Sequence, residues 1–114
     1  MTPFKAGDVV AVEFPFSDFQ GLKRRPGLII VGGEPDVLVA RVNTRPPRER
    51  SDVALRRWAE AGLPRASAVR LTKLAAVDLR LVHHKVGRLD PEDGRAVFEA
   101  WQQMTAFLRA ELLK

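Results

Sequence analysis

Apolar residues in the first half of the chain occur in short, β-branched runs interspersed with polar residues, which is the pattern of β-strands. The runs predict strands at Asp8–Phe14, Gly27–Val31 and Val37–Asn43. Pro15 ends the first strand because proline cannot donate a backbone hydrogen bond. The turn formers of Gly32–Pro35 separate the second and third strands by only a few residues. The three strands are therefore expected to form an antiparallel meander.

The middle of the chain has weaker patterns than either end. Short apolar runs predict strands at Asp52–Leu55, Ser67–Leu71 and Leu81–Leu89, and Gly87 favours a bulge in the last of them. Residues 73–78 fit either a continuation of the strand before them or a short turn. The segment Arg56–Ala61 predicts one helical turn, since a glycine and a proline follow it closely.

The C-terminal segment predicts one long helix, Pro91–Leu113. Asp90 is suited to cap its N-terminus, and proline fits the first helical position. Apolar residues recur at helical spacing behind this cap, at Val97, Phe98, Trp101, Met104, Leu108 and Leu112. Short strands followed by one terminal helix predict an α+β fold. We expect a small SH3-like β-barrel with a long C-terminal helix packed across the sheet, in a single domain spanning residues 1–114.

Composition narrows the class of protein. The 114 residues include no cysteine, which excludes disulfides, thiolate metal sites and a thiol nucleophile. No apolar run approaches the roughly 20 residues of a membrane span, and the N-terminus lacks a secretory apolar region. We therefore expect a soluble, cytoplasmic protein. The net charge of +5 and the isoelectric point of about 10.4 come mainly from arginine, which suits a phosphate-bearing partner, a solubilising surface or an acidic protein partner.

Two arginine-rich loops flank the second and third predicted strands. Arg24 and Arg25 precede the second strand, whereas Thr44 ends the third and is followed by the loop Arg45–Arg50. Because antiparallel neighbours run in opposite directions, the second strand starts at the sheet end where the third finishes. Arg25 and Thr44 are thus expected side by side at one sheet edge. The alternative is that the arginines are solvated loop charges and that Thr44 caps a turn.

This pair of residues suits RNA better than most substrates. RNA cleavage can use the 2′-hydroxyl of the substrate as nucleophile, so the protein need supply neither a metal nor a nucleophile of its own. It must stabilise the charge on the phosphorane and move two protons. Arg25 can bind that charge but is a poor base, and the hydroxyl of Thr44 is a weak acid. The residues therefore provide charge stabilisation and leave proton transfer open.

Motifs along most of the chain carry a family resemblance. Gly7–Phe14, followed by Lys23–Ile30 with its Arg-Arg-Pro-Gly core, resembles the opening of the MazF/PemK family of toxin endoribonucleases. The strand end at Asn43–Thr44 is similar to that family's strand end bearing threonine or serine. The segments Ala68–Leu74 and Val86–Asp93, with the terminal helix, are similar to its second half. The resemblance extends from about Lys5 to Leu113, which is nearly the whole chain.

The resemblance implies a homodimer of the SH3-like MazF/CcdB/Kid type that cleaves single-stranded RNA at short sequences without metal or cofactor. It also implies an acidic antitoxin as partner and places catalysis on Arg25 and Thr44. Many members carry a glutamate five residues before that arginine, where this chain has Gln20, which cannot exchange a proton. Asp18 lies nearby in the sequence. The expected RNA-binding residues are Asp18, Gln20, Lys23, Arg24, Arg45 and Arg48.

Other functions and residues remain as alternatives. The glutamine at position 20 favours a non-catalytic barrel that binds nucleic acid or an antitoxin. A toxin of the same fold that inhibits DNA gyrase is a further alternative, against which the two arginine loops argue. His83 and His84 are expected on opposite faces of a strand, so they cannot easily share one metal, although either could exchange protons. Trp58 is expected to pack on the barrel rather than to stack on a base.

Overall fold

A computed structural model describes residues 3–14 and 24–114. Asp18, Gln20 and Lys23, which the sequence predicts to bind RNA, lie outside the described residues. The described residues form six strands, one short 3-10 turn at Leu79–Leu81 and one α-helix. These elements are β1 (Asp8–Glu13), β2 (Arg24–Val31), β3 (Asp36–Asn43), β4 (Asp52–Ala54), β5 (Ala68–Asp78), β6 (Val82–Arg88) and α1 (Pro91–Leu112).

The strands form one antiparallel sheet in the order β4-β5-β3-β2-β1-β6. β1, β2 and β3 are consecutive neighbours, with Val9 opposite Leu28 and Gly27 opposite Arg41, so the predicted meander is confirmed. The predicted α+β fold with a C-terminal helix is also confirmed. Within the described residues the edge strands β4 and β6 do not pair with each other, so the sheet is open rather than closed into the expected barrel.

Apolar side chains cover both faces of the sheet. Leu28, Ala40 and Val42 belong to one core, which Val97 and Trp101 of α1 complete. On the other face, a second core is formed by Val10, Val12, Phe14, Ile29, Val37, Val39, Ala75, Val77 and Val82. The sheet is therefore buried from both sides, which explains why its central strands read as nearly continuous apolar runs.

Strand β2 begins at Arg24, three residues earlier than the sequence predicts. Arg24, Arg25 and Pro26 pair with β1, with Pro26 opposite Ala11, and the pairing of β2 with β3 starts only at Gly27. The missing N–H of the proline therefore costs no hydrogen bond to β3. The first three residues of β2 therefore pair with β1 alone, and this places Arg25 beside the end of β3.

Strand β5 continues through residues 73–78, which decides between the two alternatives for that segment. Its pairing with β3 shifts sharply: Ala40 lies opposite Leu74, whereas the next residue, Arg41, lies opposite Arg70. Residues 71–73 thus form a bulge with no partner in β3. The pairing of β6 with β1 shifts by one residue at two places. Val9 and Val10 pair with Gly87 and Lys85, so one bulge lies next to the glycine, where the sequence predicts it, and the second lies between the partners of Ala11 and Val12.

The segment predicted as a helical turn forms a single turn, in which the N–H of Ala61 donates to the carbonyl of Arg57 at 3.2 Å. It ends at Gly62, whose φ of 87° suits glycine. Trp58 packs against the core under α1, as the packing interpretation predicts. The helix itself begins as expected, with the Asp90 carboxylate accepting from the N–H of Glu92 at 2.9 Å. No helix in the described part of the chain is long and apolar enough to cross a membrane.

Candidate functional site

A cavity of about 680 Å³ lies at the sheet end where β2 begins and β3 finishes. Arg25 lines it from β2, and Thr44 lines it from the end of β3. The loop after β3 contributes Arg45 and Arg48 to the same cavity. Four residues expected at a functional site from the sequence are therefore brought together, because the antiparallel register puts their strand ends side by side.

Arg24 is placed differently. It lies opposite Glu13 of β1 and is not among the residues that line the cavity. Arg24 and Arg25 are neighbours in an extended strand, and successive side chains of a strand point to opposite faces. The two arginines therefore do not share one role, and an RNA-binding role for Arg24 stays a prediction.

The loop that carries Arg45 and Arg48 is held by side chains at both of its ends. The Asn43 side-chain oxygen accepts from the N–H of Arg45 at 3.2 Å. The Asp52 carboxylate accepts from the N–H groups of Arg48 and Glu49 at 3.0 and 3.3 Å. These contacts replace the ladder hydrogen bonds that the loop lacks and direct it over the cavity.

Asp52 itself is buried, and its carboxylate is charged at neutral pH. Burial alone would raise its pKa, but the N–H of Arg48, the guanidinium of Arg70 and the N–H of Glu49 together hold the pKa below its usual value. The Nε of Arg70 lies 3.3 Å from Oδ1 of Asp52. Glu49 adds a further pair with Arg70 at 3.6 Å. The base of the loop is thus a small ionic network that fixes the rim of the cavity.

The structure adds cavity residues that sequence reasoning missed. Arg41 of β3 lines the cavity, as do Arg65, Ser67, Arg70 and Lys73 from β5 and the loop before it. The pattern of β3 contained one usable signal, an arginine on the same predicted face as Val39 and Asn43. No such signal marked the β5 residues, because they reach the cavity through the bulge at residues 71–73 and through pairing that is remote in the sequence.

The cavity concentrates positive charge that is only partly neutralised. Among the described residues, Arg70 is paired with acidic side chains, whereas no ion pair joins Arg25, Arg41, Arg45 or Arg48 to a described carboxylate. Burial, followed by the charges of Arg25, Arg45 and Arg70, lowers the pKa of Arg41. An arginine remains protonated at neutral pH despite such a shift. The cavity is therefore suited to a phosphate-bearing ligand.

The same cavity is poor in groups that exchange protons. Its lining from the described residues includes no histidine, aspartate or glutamate. His83 lies elsewhere, on β6, where its Nε2 contacts Oε1 of Glu13 at 2.9 Å. His84 does not line the cavity either. Among residues 3–14 and 24–114, no group of three or more histidine, aspartate or glutamate side chains is arranged to hold a metal ion.

A second cavity of about 600 Å³ lies between α1 and the sheet and has a different character. Its walls are mostly apolar and include Ile30, Val31, Phe98 and Trp101. Phe98 is 59% exposed and Val31 is 55% exposed, although both are large apolar residues. This groove suits an apolar partner segment rather than a charged substrate, so the phosphate chemistry belongs to the arginine-lined cavity.

Comparison with protein-family models matches residues 5–105 to the PemK-like, MazF-like toxins of type II toxin–antitoxin systems. A comparison with curated protein sequences gives no significant match. The matched range includes every described residue of the arginine-lined cavity.

Solved structures agree with the observed fold. An endoribonuclease in complex with its cognate antitoxin from a mycobacterial species has a TM-score of 0.70 at 15% identity, covering 88% of this chain and 92% of that one. The Mycobacterium tuberculosis toxin MazF-mt6 has a TM-score of 0.69 at 20% identity, covering 84% and 93%. A Deinococcus radiodurans MazF has a TM-score of 0.67 at 15% identity, covering 93% and 98%. At these identities, the likeness establishes the fold.

Proposed function

We infer the activity of this chain from its family, since it belongs to the PemK-like, MazF-like toxins of type II toxin–antitoxin systems. We propose that it is an endoribonuclease that cleaves single-stranded RNA without a metal or cofactor. The observation that carries the proposal is the arginine-lined cavity, in which Arg25 and Thr44 lie together at the end of β2 and β3. Solved relatives of the same fold are described as endoribonucleases.

In the proposed reaction, the 2′-hydroxyl oxygen of one nucleotide attacks the adjacent phosphorus. The bond from phosphorus to the 5′-oxygen of the next nucleotide breaks, leaving a 2′,3′-cyclic phosphate and a free 5′-hydroxyl. One proton leaves the 2′-hydroxyl and one reaches the departing 5′-oxygen, so no water is consumed. Arg25 stabilises the charge that develops on the phosphorane oxygens, and the Thr44 hydroxyl donates a hydrogen bond to the same group.

Proton transfer in this proposal does not fall to Arg25 or Thr44, because a guanidinium is a poor base and an aliphatic hydroxyl is a weak acid. The family's usual glutamate position is occupied by Gln20, which cannot exchange a proton. We assign the proton acceptor to Asp18 or to a water molecule. In either case, Arg25 and Thr44 contribute by stabilising charge rather than by transferring a proton.

The proposal includes two protein partners in the cytoplasm. One is a second copy of the chain, and the other is an acidic antitoxin that matches the net charge of +5. The surface of α1 supports protein association, since Phe98 and Phe107 are each 59% exposed and Leu112 is 70% exposed. Two solved Deinococcus radiodurans relatives are complexes of MazE with MazF.

The test uses purified protein, excess chelator and a long RNA of mixed sequence. We expect cleavage at a small set of short sequences, with 2′,3′-cyclic phosphate and 5′-hydroxyl ends identified by end-specific labelling. Ends bearing a 3′-hydroxyl and a 5′-phosphate would point to another mechanism. RNA that stays intact at high protein concentration, under conditions in which a related active toxin cleaves, would rule out the catalytic proposal.

Intact RNA would favour the non-catalytic alternative, which also has a specific observation behind it. The described lining of the cavity holds many cations and no side chain that titrates near neutral pH. A binding module with this cavity would retain RNA on a filter without cutting it, and its expression would not arrest growth. Cleavage and binding measured on the same preparation therefore separate the two functions.

A further inference from the structure

Arg41 occupies an unusual position for an arginine. It lies near the end of β3, on the sheet face that carries Val37 and Val39. This face is turned away from α1. Its neighbours in the sheet are Gly27 of β2 and Arg70 of β5. The Nε of Arg41 is buried and finds no hydrogen-bond acceptor among the described residues. A buried donor without an acceptor is unfavourable, so the position is not explained by packing alone.

The charge of the neighbouring residue on β5 makes the position of Arg41 still less favourable. Like charges directly opposite each other on neighbouring strands destabilise a sheet, and Arg41 faces Arg70 in this way. Asp52 and Glu49 neutralise Arg70, since they lie 3.3 and 3.6 Å from its guanidinium nitrogens. No described carboxylate does the same for Arg41. Among residues 3–14 and 24–114, the charge of Arg41 is thus left without a counter-ion, inside a cavity that opens to solvent.

The neighbouring backbone keeps that charge accessible. The bulge of β5 at residues 71–73 begins beside the pair formed by Arg41 and Arg70, and bulges commonly redirect side chains next to functional sites. Arg25 of β2 and Arg41 of β3 line the same cavity. A ligand with two adjacent negative groups would satisfy both arginines.

We propose that Arg41 binds a backbone phosphate of the RNA strand next to the phosphate held by Arg25. The identity of the ligand as RNA rests on the proposed function. Arg41 is then a positioning residue: it fixes the path of the strand so that the neighbouring phosphodiester reaches Arg25 and Thr44. No carboxylate in the described part of the chain compensates this guanidinium in the free protein, and the RNA phosphate neutralises it, so the site is less stable empty than occupied.

The test measures binding separately from cleavage, with a 2′-fluoro RNA strand of mixed sequence that lacks the attacking hydroxyl. Dissociation constants are measured at several salt concentrations for wild type, Arg41→Met and Arg95→Met. Arg95 is exposed on α1, so its variant loses the same charge away from the cavity. We expect Arg41→Met to weaken binding about tenfold and to reduce the salt slope by about 0.7, the value for one phosphate contact on a single strand. We expect Arg95→Met to keep the wild-type slope.

A second variant distinguishes the loss of a phosphate contact from a folding defect. Arg41→Lys keeps the charge and should restore the salt slope while binding more weakly than wild type, because lysine lacks the fork of donors. Thermal unfolding of the free proteins should show Arg41→Met at least as stable as wild type. An unchanged salt slope in Arg41→Met, or the same change in Arg95→Met, overturns the proposal.

The two proposals fail in different ways. If unmodified RNA is not cleaved but the fluorinated strand binds with a slope that depends on Arg41, the endoribonuclease proposal fails and the role of Arg41 stands. If RNA is cleaved and Arg41→Met changes neither the salt slope nor the affinity, the role of Arg41 fails and the endoribonuclease proposal stands.

Discussion

The chain contains two arginine pairs that look alike in sequence and behave differently in the structure. Arg25, of the pair at residues 24–25, lines the cavity with no ion pair to a described acidic residue. The pair Arg56–Arg57 lies beside the N-terminus of α1, where Glu92 contacts the two guanidinium groups at 3.6 and 3.4 Å. Glu60 and Asp90 also contact Arg57, at 3.8 and 3.6 Å. The placement of acids, rather than the density of arginines, separates a binding surface from a structural one.

Two arginine regions, the loop Arg45–Arg50 beside the cavity and the segment Arg56–Arg57, are held by the same kind of backbone hydrogen bond. Asp52 accepts from the N–H groups of Arg48 and Glu49, and Asp93 accepts from those of Arg56 and Arg57 at 2.9 and 2.8 Å. In each case a buried aspartate receives two successive backbone donors. These hydrogen bonds fix the backbone path of each segment. They do not decide whether the segment's side chains remain free to bind a ligand.

The largest effect that tests this comparison is the loss of Arg25. We expect Arg25→Ala to reduce RNA cleavage by about 10²–10³-fold, the usual loss when one donor to a developing oxyanion is removed. The matched variant Arg57→Ala removes the same charge from the structural region and should leave cleavage within about twofold of wild type. Initial rates on one RNA substrate, with far-ultraviolet circular dichroism for folding, provide the measurement.

The comparison would break if Arg57→Ala lowered cleavage as much as Arg25→Ala while both variants remained folded. Cleavage would then depend on total charge instead of on the cavity. A smaller loss in Arg25→Ala, near tenfold, would transfer part of the stabilising role to the other cavity arginines. Rates measured across salt concentrations distinguish that outcome, because shared, long-range attraction weakens steeply with salt.

Local signals in the sequence were enough to predict the central part of the site. The meander of three strands follows from short apolar runs and turn residues, and it brings Arg25 and Thr44 to one end of the sheet. The helix follows from its cap at Asp90 and its apolar spacing. Arg41 and Arg70 became neighbours through pairing between β3 and β5, which are separated by a loop, a short strand and a turn. No local pattern specifies that register or its three-residue bulge.

The sequence also could not show which arginines are neutralised. Glu92 and Asp93 lie in the first turn of α1, where acidic side chains are favourable, and they also hold a segment about 36 residues away. That second role depends on how the turn after β4 packs against α1. The sequence shows which strand, loop or helix carries each charged residue, whereas ion pairs depend on distances between elements that are remote in the chain.

The second prediction concerns Asp93, which is 2% exposed. Asp93→Ala leaves the N–H groups of Arg56 and Arg57 without their acceptor and removes a favourable charge from the first turn of the helix. We expect the free energy of unfolding to fall by about 2–4 kcal/mol, measured by urea denaturation. At temperatures below unfolding, cleavage should be retained, because Asp93 contacts neither Arg25 on β2 nor Thr44 at the end of β3.

Asp93→Asn provides the graded control. The asparagine side chain keeps one oxygen acceptor, so the loss of stability should lie between those of wild type and Asp93→Ala. If Asp93→Ala is as stable as wild type, the turn after β4 does not depend on this carboxylate. If cleavage disappears while the variant is still folded, the two arginine regions are coupled, and their separation into a binding and a structural region is wrong.

The third and smallest effect is the pH dependence that Asp52 contributes. Hydrogen bonds from Arg48, Arg70 and Glu49 outweigh burial and keep its folded-state pKa below the ordinary 3.8. A depressed pKa stabilises the folded protein above the unfolded-state value, and the contribution disappears as pH falls through the folded-state value. We therefore expect the stability difference between wild type and Asp52→Asn to be constant near pH 7 and to shrink below about pH 4, as measured by urea denaturation.

Asp8 supplies the matched control for this effect. It is also buried, and contacts from Lys5, Lys85 and Arg88 outweigh burial and lower its pKa. Asp8→Asn should therefore lose stability over a similar acidic range. The two variants should differ in cleavage at pH 7: Asp52→Asn loosens the loop that carries Arg48 and should slow cleavage about three- to tenfold, whereas Asp8→Asn should not. Cleavage equal to that of wild type in both variants would mean that the Asp52 carboxylate stabilises the fold without positioning the cavity.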